Sequence, residues 1–259
     1  MRTERFILLS FDVEEFDMPL EYGCQITKEE QLNIGKKGLD NILPVLSNTD
    51  IQSTLFTTAN FADHYPLLIR DLSKQHEIAS HTYHHSSFIN EDLLSSKQRL
   101  EEITGSTIDG LRMPRMRKVE MSEVKKAGYS YDSSVNPTWL PGRYNNLHLP
   151  RTLYIDEGVS RLPASVSPNL RIPLFWLTFK NVPFQVFKYL ALQTLKKDGY
   201  LCLYFHPWEF TDIHQYKLPL FTRRYCTGQL QERLEKIIRY LMKEGTFISI
   251  RTFLNKNPR

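Results

Sequence analysis

Short apolar runs alternate along this chain with longer stretches in which apolar residues recur every three or four positions. "RFILLSF" (5–11) predicts a buried strand and "LNIGKKGLDNILPVLSN" (32–48) a helix. "STLFTTA" (53–59) predicts a second strand and "DHYPLLIRDLSKQ" (63–75) the next helix. "EIAS" (77–80) reads as a short strand before "NEDLLSSKQRLEEITG" (90–105), where Leu93, Leu94, Leu100 and Ile103 suit one helical face and Gly105 a C-cap. "GLRMP" (110–114) and "YSYDSS" (129–134) flank the helical "KVEMSEVKKAG" (118–128). Toward the end, "GYLCLYFHP" (199–207) is a strongly apolar strand. "TGQLQERLEKIIRYLMKEG" (227–245) follows as a helix with an apolar stripe at Leu230, Leu234, Ile237, Ile238 and Leu241, and "TFISI" (246–250) closes the series.

Repeated strand–helix alternation predicts an α/β fold with a largely parallel sheet, and fits a barrel as well as an open sheet. The 259 residues, 41% hydrophobic and 24% charged, are consistent with one domain spanning 1–259. The segment from about 140 to 197 breaks the rhythm, with many prolines and aromatics, and is expected to be an elaboration. Trp176, Phe179, Phe184, Phe187 and Tyr189 interleave there with Lys180, Lys188, Lys196 and Lys197. Reversible contact with a membrane surface is one reading of that stretch, and packing of its aromatics against the barrel is the other.

A net charge of +4, spread among nearly as many acids as bases, gives little support to nucleic-acid binding. Cys24, Cys202 and Cys226 form neither a disulfide framework nor a cysteine zinc site, which suits a reducing cytoplasm. The apolar run Phe6–Leu9 is too short for a signal peptide core or a bilayer span.

Polar residues at the C-terminal ends of the predicted strands are the candidates for chemistry, because that face carries it in parallel barrels. They are Asp12 and Glu14, His81 and His85, Arg112, Asp132, and His206. Carboxylates and imidazoles together are a donor set for zinc or a similar divalent ion. His81 and His85 stand four apart, so one helical turn would turn both imidazoles to one side. Each residue also has a plainer reading. "DVEEFD" could be only a solvated acidic loop, His206 a buried structural histidine, and Arg112 a surface charge. His84 is expected to point away from the shared face and His76 to be a surface or turn residue.

The ordered set "SFDVEEF", "HEIASHTYHH", "LRMPR" and "LYFHPWEF" resembles the polysaccharide deacetylase (NodB-homology) family, carbohydrate esterases that include chitin and peptidoglycan deacetylases. The resemblance runs from about Ser10 to Leu254. It implies a distorted (β/α) barrel, often of seven strands, and metal-dependent hydrolysis of an N-acetyl group or related amide. The family's H-[ST]-x-x-H motif falls on His81, Thr82 and His85, which implies that the two histidines are metal ligands. Asp12 matches the general base of T-F-D-D-G. Val13 stands where that motif has its metal-binding aspartate, so the resemblance is to a D-x-[DE] variant in which Glu14 supplies the carboxylate ligand; failing that, Asp12 is the ligand.

Arg112 matches the arginine of R-x-P that holds the base, and His206 the general acid of L-x-H. The Asp-Trp pair that usually tunes that histidine has no clear counterpart; Asp132 or Trp139 could share the role, with Trp208 in a pocket wall. The implied cofactor is zinc, with cobalt, nickel or manganese as alternatives, and the implied partner is an amino sugar in a glycan or a lipid-linked glycan precursor. Hydrolysis of a non-sugar linear or cyclic amide, and a metal-free carbohydrate-binding barrel, are the competing functions.

Overall fold

A computed structural model of the chain describes residues 4–257, so the extreme ends of the expected 1–259 unit lie outside the described residues. Among the described residues there are eleven strands: β1 (Phe6–Val13), β2 (Thr54–Thr57), β3 (Glu77–Ser80), β4 (Gly110–Leu111), β5 (Tyr131–Asp132), β6 (Trp139–Leu140), β7 (Tyr144–Asn145), β8 (Tyr154–Asp156), β9 (Val159–Arg161), β10 (Tyr200–Phe205) and β11 (Thr246–Phe247). The main sheet runs β10-β1-β2-β3-β4-β5-β9-β8, with β11 beside β1. From β10 to β9, seven strands are parallel neighbours; β8 returns antiparallel. Beyond β9, Ser165 donates its backbone N–H to Cys202 O and accepts from Cys202 N at its hydroxyl, drawing the curled sheet's far edge toward β10. The result is the expected distorted (β/α) barrel.

Strand alternation in β1 explains where chemistry begins. Ile7, Leu9, Phe11 and Val13 face the layer packed by helices, while Phe6 and Leu8 join an inner cluster with Phe56, Tyr131, Leu162 and Cys202. On that inner side the register continues as Ser10, Asp12 and then Glu14, all buried. The inner face thus turns from apolar to polar toward the strand's C-terminal end, and Val13, between the two acids, is committed to the core.

Several elements depart from expectation. The run 63–75 is not one helix: its first two residues end helix Ala59–His64 and a second helix spans Pro66–Leu72, because proline lacks the N–H that would continue the first and instead starts the second. Helix Glu91–Thr104 buries Leu93, Leu100 and Ile103 but leaves Leu94 47% exposed, one position off the buried stripe; it ends on Gly105 in the left-handed conformation. All five stripe residues of Gly228–Leu241 are buried. The 140–197 segment is not wholly an elaboration, since it contributes β9, the seventh parallel strand. Trp176, Phe179 and Phe187 are buried in the core, which rules them out as a membrane-facing surface, and Tyr189 alone among the five aromatics is exposed. His76 is no surface residue: it is buried, its Nδ1 accepts from Ser53 N, and its Nε2 lies 3.0 Å from Leu46 O.

Candidate metal and hydrolytic site

Seven residues named from sequence converge, apart from one, at the C-terminal face of the sheet. Glu14 Oε2 lies 3.0 Å from His81 Nε2 and 3.1 Å from His85 Nε2. One donor atom from each of these three residues fits within 4.8 Å of the others, and all three residues are buried. The histidines do not meet on a helical turn, as their spacing predicts. They occupy an irregular loop after β3, where Thr82 takes φ 62° and its N–H bonds Ser80 Oγ, and their rings stack with centroids 5.6 Å apart. His84, between them in sequence, is exposed.

The opposite ring nitrogens are already engaged. His81 Nδ1 is 2.7 Å from Arg112 O, a carbonyl that can only accept, and His85 Nδ1 is 2.7 Å from Asp17 Oδ1. Both Nδ1 atoms therefore carry protons, which leaves Nε2 of each neutral ring with its lone pair toward Glu14. Glu14 Oε2 and His81 Nε2 are buried and make no hydrogen bond. Acceptors converging on one another without donors repel unless a proton or a cation lies among them, so this set fits a divalent ion. Without an ion, protons serve instead. Burial disfavours charge on His85, but Glu14 and Asp17 outweigh it and push the imidazole up to about 9. Burial would likewise raise Glu14, yet His85, His206 and His81 hold it well below the usual carboxylate range.

Supports behind this cluster were not read from the sequence. Trp208 Nε1 donates to Glu14 Oε1 at 2.9 Å, fixing the carboxylate. Asp17 is gripped by Arg115 Nη2 at 2.9 Å, and Arg115 also donates to His85 O. Despite burial, which would raise it, Asp17 is held below its ordinary pKa by His85 and Arg115. Its place in the acidic "DVEEFD" stretch made it indistinguishable from a solvated loop residue.

Asp12 is not among the three converging donors; it is engaged by Arg112, whose Nη1 donates to Asp12 Oδ1 at 2.6 Å and to Ser10 Oγ at 3.0 Å. Arg112 is fully buried, bonded also to Ser133, and stacked 4.0 Å from the Phe56 ring centroid; it is no surface charge. Asp12 Oδ2 faces His206 Nε2 across 3.8 Å. His206 lies flat on Trp208, centroids 4.9 Å apart, with the edge of Trp176 at 5.1 Å.

Neither residue expected to tune His206 does so. Asp132 is turned to Arg161 at 2.8 Å and to Ser134, and Trp139 is 60% exposed. The partner is Glu209, three residues on in "HPWEF". Its Oε1 accepts from His206 N at 2.8 Å and from His206 Nδ1 at 3.0 Å, and its Oε2 pairs with Lys180 Nζ at 2.8 Å. Lys180 comes from the aromatic segment and is completely buried, under the rings of Trp176 and Trp208. Glu209 stands only three residues from His206 but was not singled out from the sequence, and nothing local pointed to Lys180. The His206–Phe210 loop is seated directly on helix Lys28–Leu46, where a Cβ on Gly38 would come within 2.0 Å of Pro207 O.

Above these groups opens a cavity of about 260 Å³, lined among others by Tyr144, Trp176, Leu177, Tyr204 and Phe221. It holds proton-transfer groups and a cation-ready cluster side by side, the combination needed to attack a carbonyl with water.

The model of the polysaccharide deacetylase family matches residues 3–131, a span that carries Asp12, Glu14, His81, His85 and Arg112. No curated protein matches the sequence. Among solved structures, a protein from Mycobacterium smegmatis described as a polysaccharide deacetylase shares 17% identity at a TM-score of 0.66, over 99% of this chain and 91% of that one. The allantoinase Puue shares 16% at 0.67, over 98% and 91%. A CE4-family pseudoenzyme from Bacillus anthracis shares 11% at 0.51, over 96% of this chain and 64% of that one. These likenesses establish the fold.

Proposed function

Because the chain belongs to the polysaccharide deacetylase family, we propose that it is a metal-dependent amide hydrolase, one catalytic unit that removes an N-acetyl group from an amino sugar in a polysaccharide or lipid-linked glycan precursor. The observation that carries this reading is the pairing of an ion-ready Glu14, His81 and His85 cluster with an Asp12 that is engaged by Arg112 instead. The D-x-E order follows from strand alternation: with Val13 facing the core, Asp12 and Glu14 are the two acids that share the site's side of the strand.

Glu14 Oε2, His81 Nε2 and His85 Nε2 would hold the ion, zinc being favoured by the mixed imidazole and carboxylate donors, with cobalt, nickel or manganese as substitutes. Once bound, it would lower the pKa of water and polarise the amide carbonyl. Asp12 Oδ2, the oxygen not taken by the Arg112 Nη1 bond, accepts the proton of attacking water. His206 must then deliver a proton to the departing nitrogen, since an unprotonated amine anion is a poor leaving group. Glu209 fixes its Nδ1 side, so Nε2 is the atom turned to the reacting groups. In the metal-free protein burial disfavours the imidazolium, but Glu14, Glu209 and Asp12 raise the pKa of His206 above its ordinary value, and of these Glu209 and Asp12 would still face it with an ion on Glu14.

The free state of all three cysteines supports a cytoplasmic location. The convergence of Asp12, Glu14, His81, His85 and His206 on one cavity supports an enzyme over a silent carbohydrate-binding barrel. Acetate release from N-acetylated amino sugars, run beside allantoin and simple acetamides, tests the assignment. Turnover of a sugar that disappears in Asp12→Asn supports it; turnover only of a cyclic amide transfers the chemistry to another substrate class, and wild-type turnover in Asp12→Asn removes the base.

A further inference from the structure

The cavity mouth is built by segments that follow three different strands, and each leaves a large apolar side chain in solvent. Met18 and Tyr22 after β1, Leu140 and Tyr144 after β5, and Phe221 after β10 all line the cavity. Tyr22 is 39% exposed and Phe221 51%, and next to lining residues stand Trp139 at 60% and Leu220 at 70%. These segments are braced, not loose. Arg143 donates to Glu21, joining the β6–β7 hairpin to helix Met18–Glu21, and Asn181 Nδ2 donates to Phe221 O. Large apolar side chains ringing one opening on a braced frame mark an interaction surface, whereas scattered single ones do not.

Bases border the same segments in sequence: Arg223 and Arg224 follow Phe221 closely, and Arg117 and Lys118 follow the lining residue Met116. On the lining itself Glu21 is paired with Arg115 and Arg143, so those charges offset one another. No described helix is long and apolar enough to cross a membrane. Aromatic and leucine side chains beside arginines, on a fixed rim with no spanning segment, match the chemistry of an anionic bilayer's interface.

We propose that this rim docks the protein on an anionic phospholipid bilayer, with the cavity opening toward the lipid, so that its substrate is an amide borne on a membrane lipid. The inference narrows the substrate class proposed above but not the chemistry, and docking itself needs no metal. The contact differs from the one the sequence suggests: Trp176, Phe179 and Phe187 are core, and the lipid-facing groups are Trp139, Leu220 and Phe221.

The test is co-sedimentation of the full chain with phosphatidylcholine vesicles and with vesicles that also contain phosphatidylglycerol, at low and high salt. Binding is expected to the anionic vesicles, weakened by salt, and Leu220→Ser combined with Phe221→Ser should reduce it about tenfold or more. Tyr189→Ser, an equally exposed aromatic outside the cavity lining, should leave it unchanged. Absence of binding to anionic vesicles overturns the proposal, as does equal weakening by Tyr189→Ser. A dimer in sedimentation velocity that dissolves in the double variant, without vesicle binding, would instead assign the rim to a second copy of the chain. Metal content measured on the same variants separates this outcome from failure of the catalytic reading, since loss of docking with metal retained leaves that reading intact.

Discussion

Replacing Lys180 by Met removes a charge from a completely enclosed ion pair while nearly preserving side-chain length. Lys180 and Glu209 both have fully buried side chains, 2.8 Å apart, and the ammonium also bonds Thr222 O at 2.9 Å. Breaking a buried pair by deleting one partner costs about 3–5 kcal/mol, chiefly because the remaining charge stays desolvated. Glu209 keeps two donors on its other oxygen, His206 N and Nδ1, so the lower end, about 3 kcal/mol, is expected. Against a total of about 5–15 kcal/mol for a typical domain, that loss is large but survivable. Lys180→Met with Glu209→Gln removes both charges, retains an oxygen for His206, and should recover all but about 1–2 kcal/mol. Urea unfolding at neutral pH measures all three proteins, provided their m values agree. Equal stabilities for Lys180→Met and the double variant would refute the reasoning, because the cost would then not come from an orphaned Glu209.

In the metal-free protein His85 is raised to about 9 from an ordinary 6.5, so its contribution to stability is complete below pH 6.5 and is lost as pH climbs through 9. Thermal midpoints of chelated protein should fall across that window, whereas zinc-loaded protein, whose ligand imidazoles are neutral, should not share the fall; parallel curves would contradict this. Asp12→Asn should keep its ion, read by elemental analysis, and lose turnover by about two orders of magnitude or more, as removal of a general base does. Gly38→Ala drives a methyl into Pro207 O and should cost about 1–3 kcal/mol in urea unfolding, together with a changed tryptophan emission from displaced Trp208; unchanged stability and emission would show that the helix and loop yield freely.

The barrel was legible because β1 and β10 are long enough for their apolar runs to stand out, and the amphipathic helices between strands keep their period. β9 was not legible: three residues, Val159–Arg161, carry no periodic signal, and their pairing with β5 and β8 is what makes them a strand. The site divides along the same line. Asp12, Glu14, His81, His85, Arg112 and His206 stand at strand ends and are brought together as expected, while Asp132 at another strand end faces Arg161 instead. The wrong helical geometry for His81 and His85 came from reading spacing without the left-handed Thr82, which brings the rings together by a turn. Lys180 reaches Glu209 across the fold, and such a contact leaves no trace in local sequence.

The central claim is that Glu14, His81 and His85 form one metal site distinct from Asp12. Elemental mass spectrometry of the purified chain, beside Glu14→Ala, His81→Ala, His85→Ala and Asp12→Asn, tests it most directly. The account predicts about one divalent ion per chain in the wild type and in Asp12→Asn, and loss of that ion in the other three. No ion in the wild type after incubation with zinc, cobalt, nickel or manganese, or an ion retained by Glu14→Ala and lost by Asp12→Asn, would contradict it.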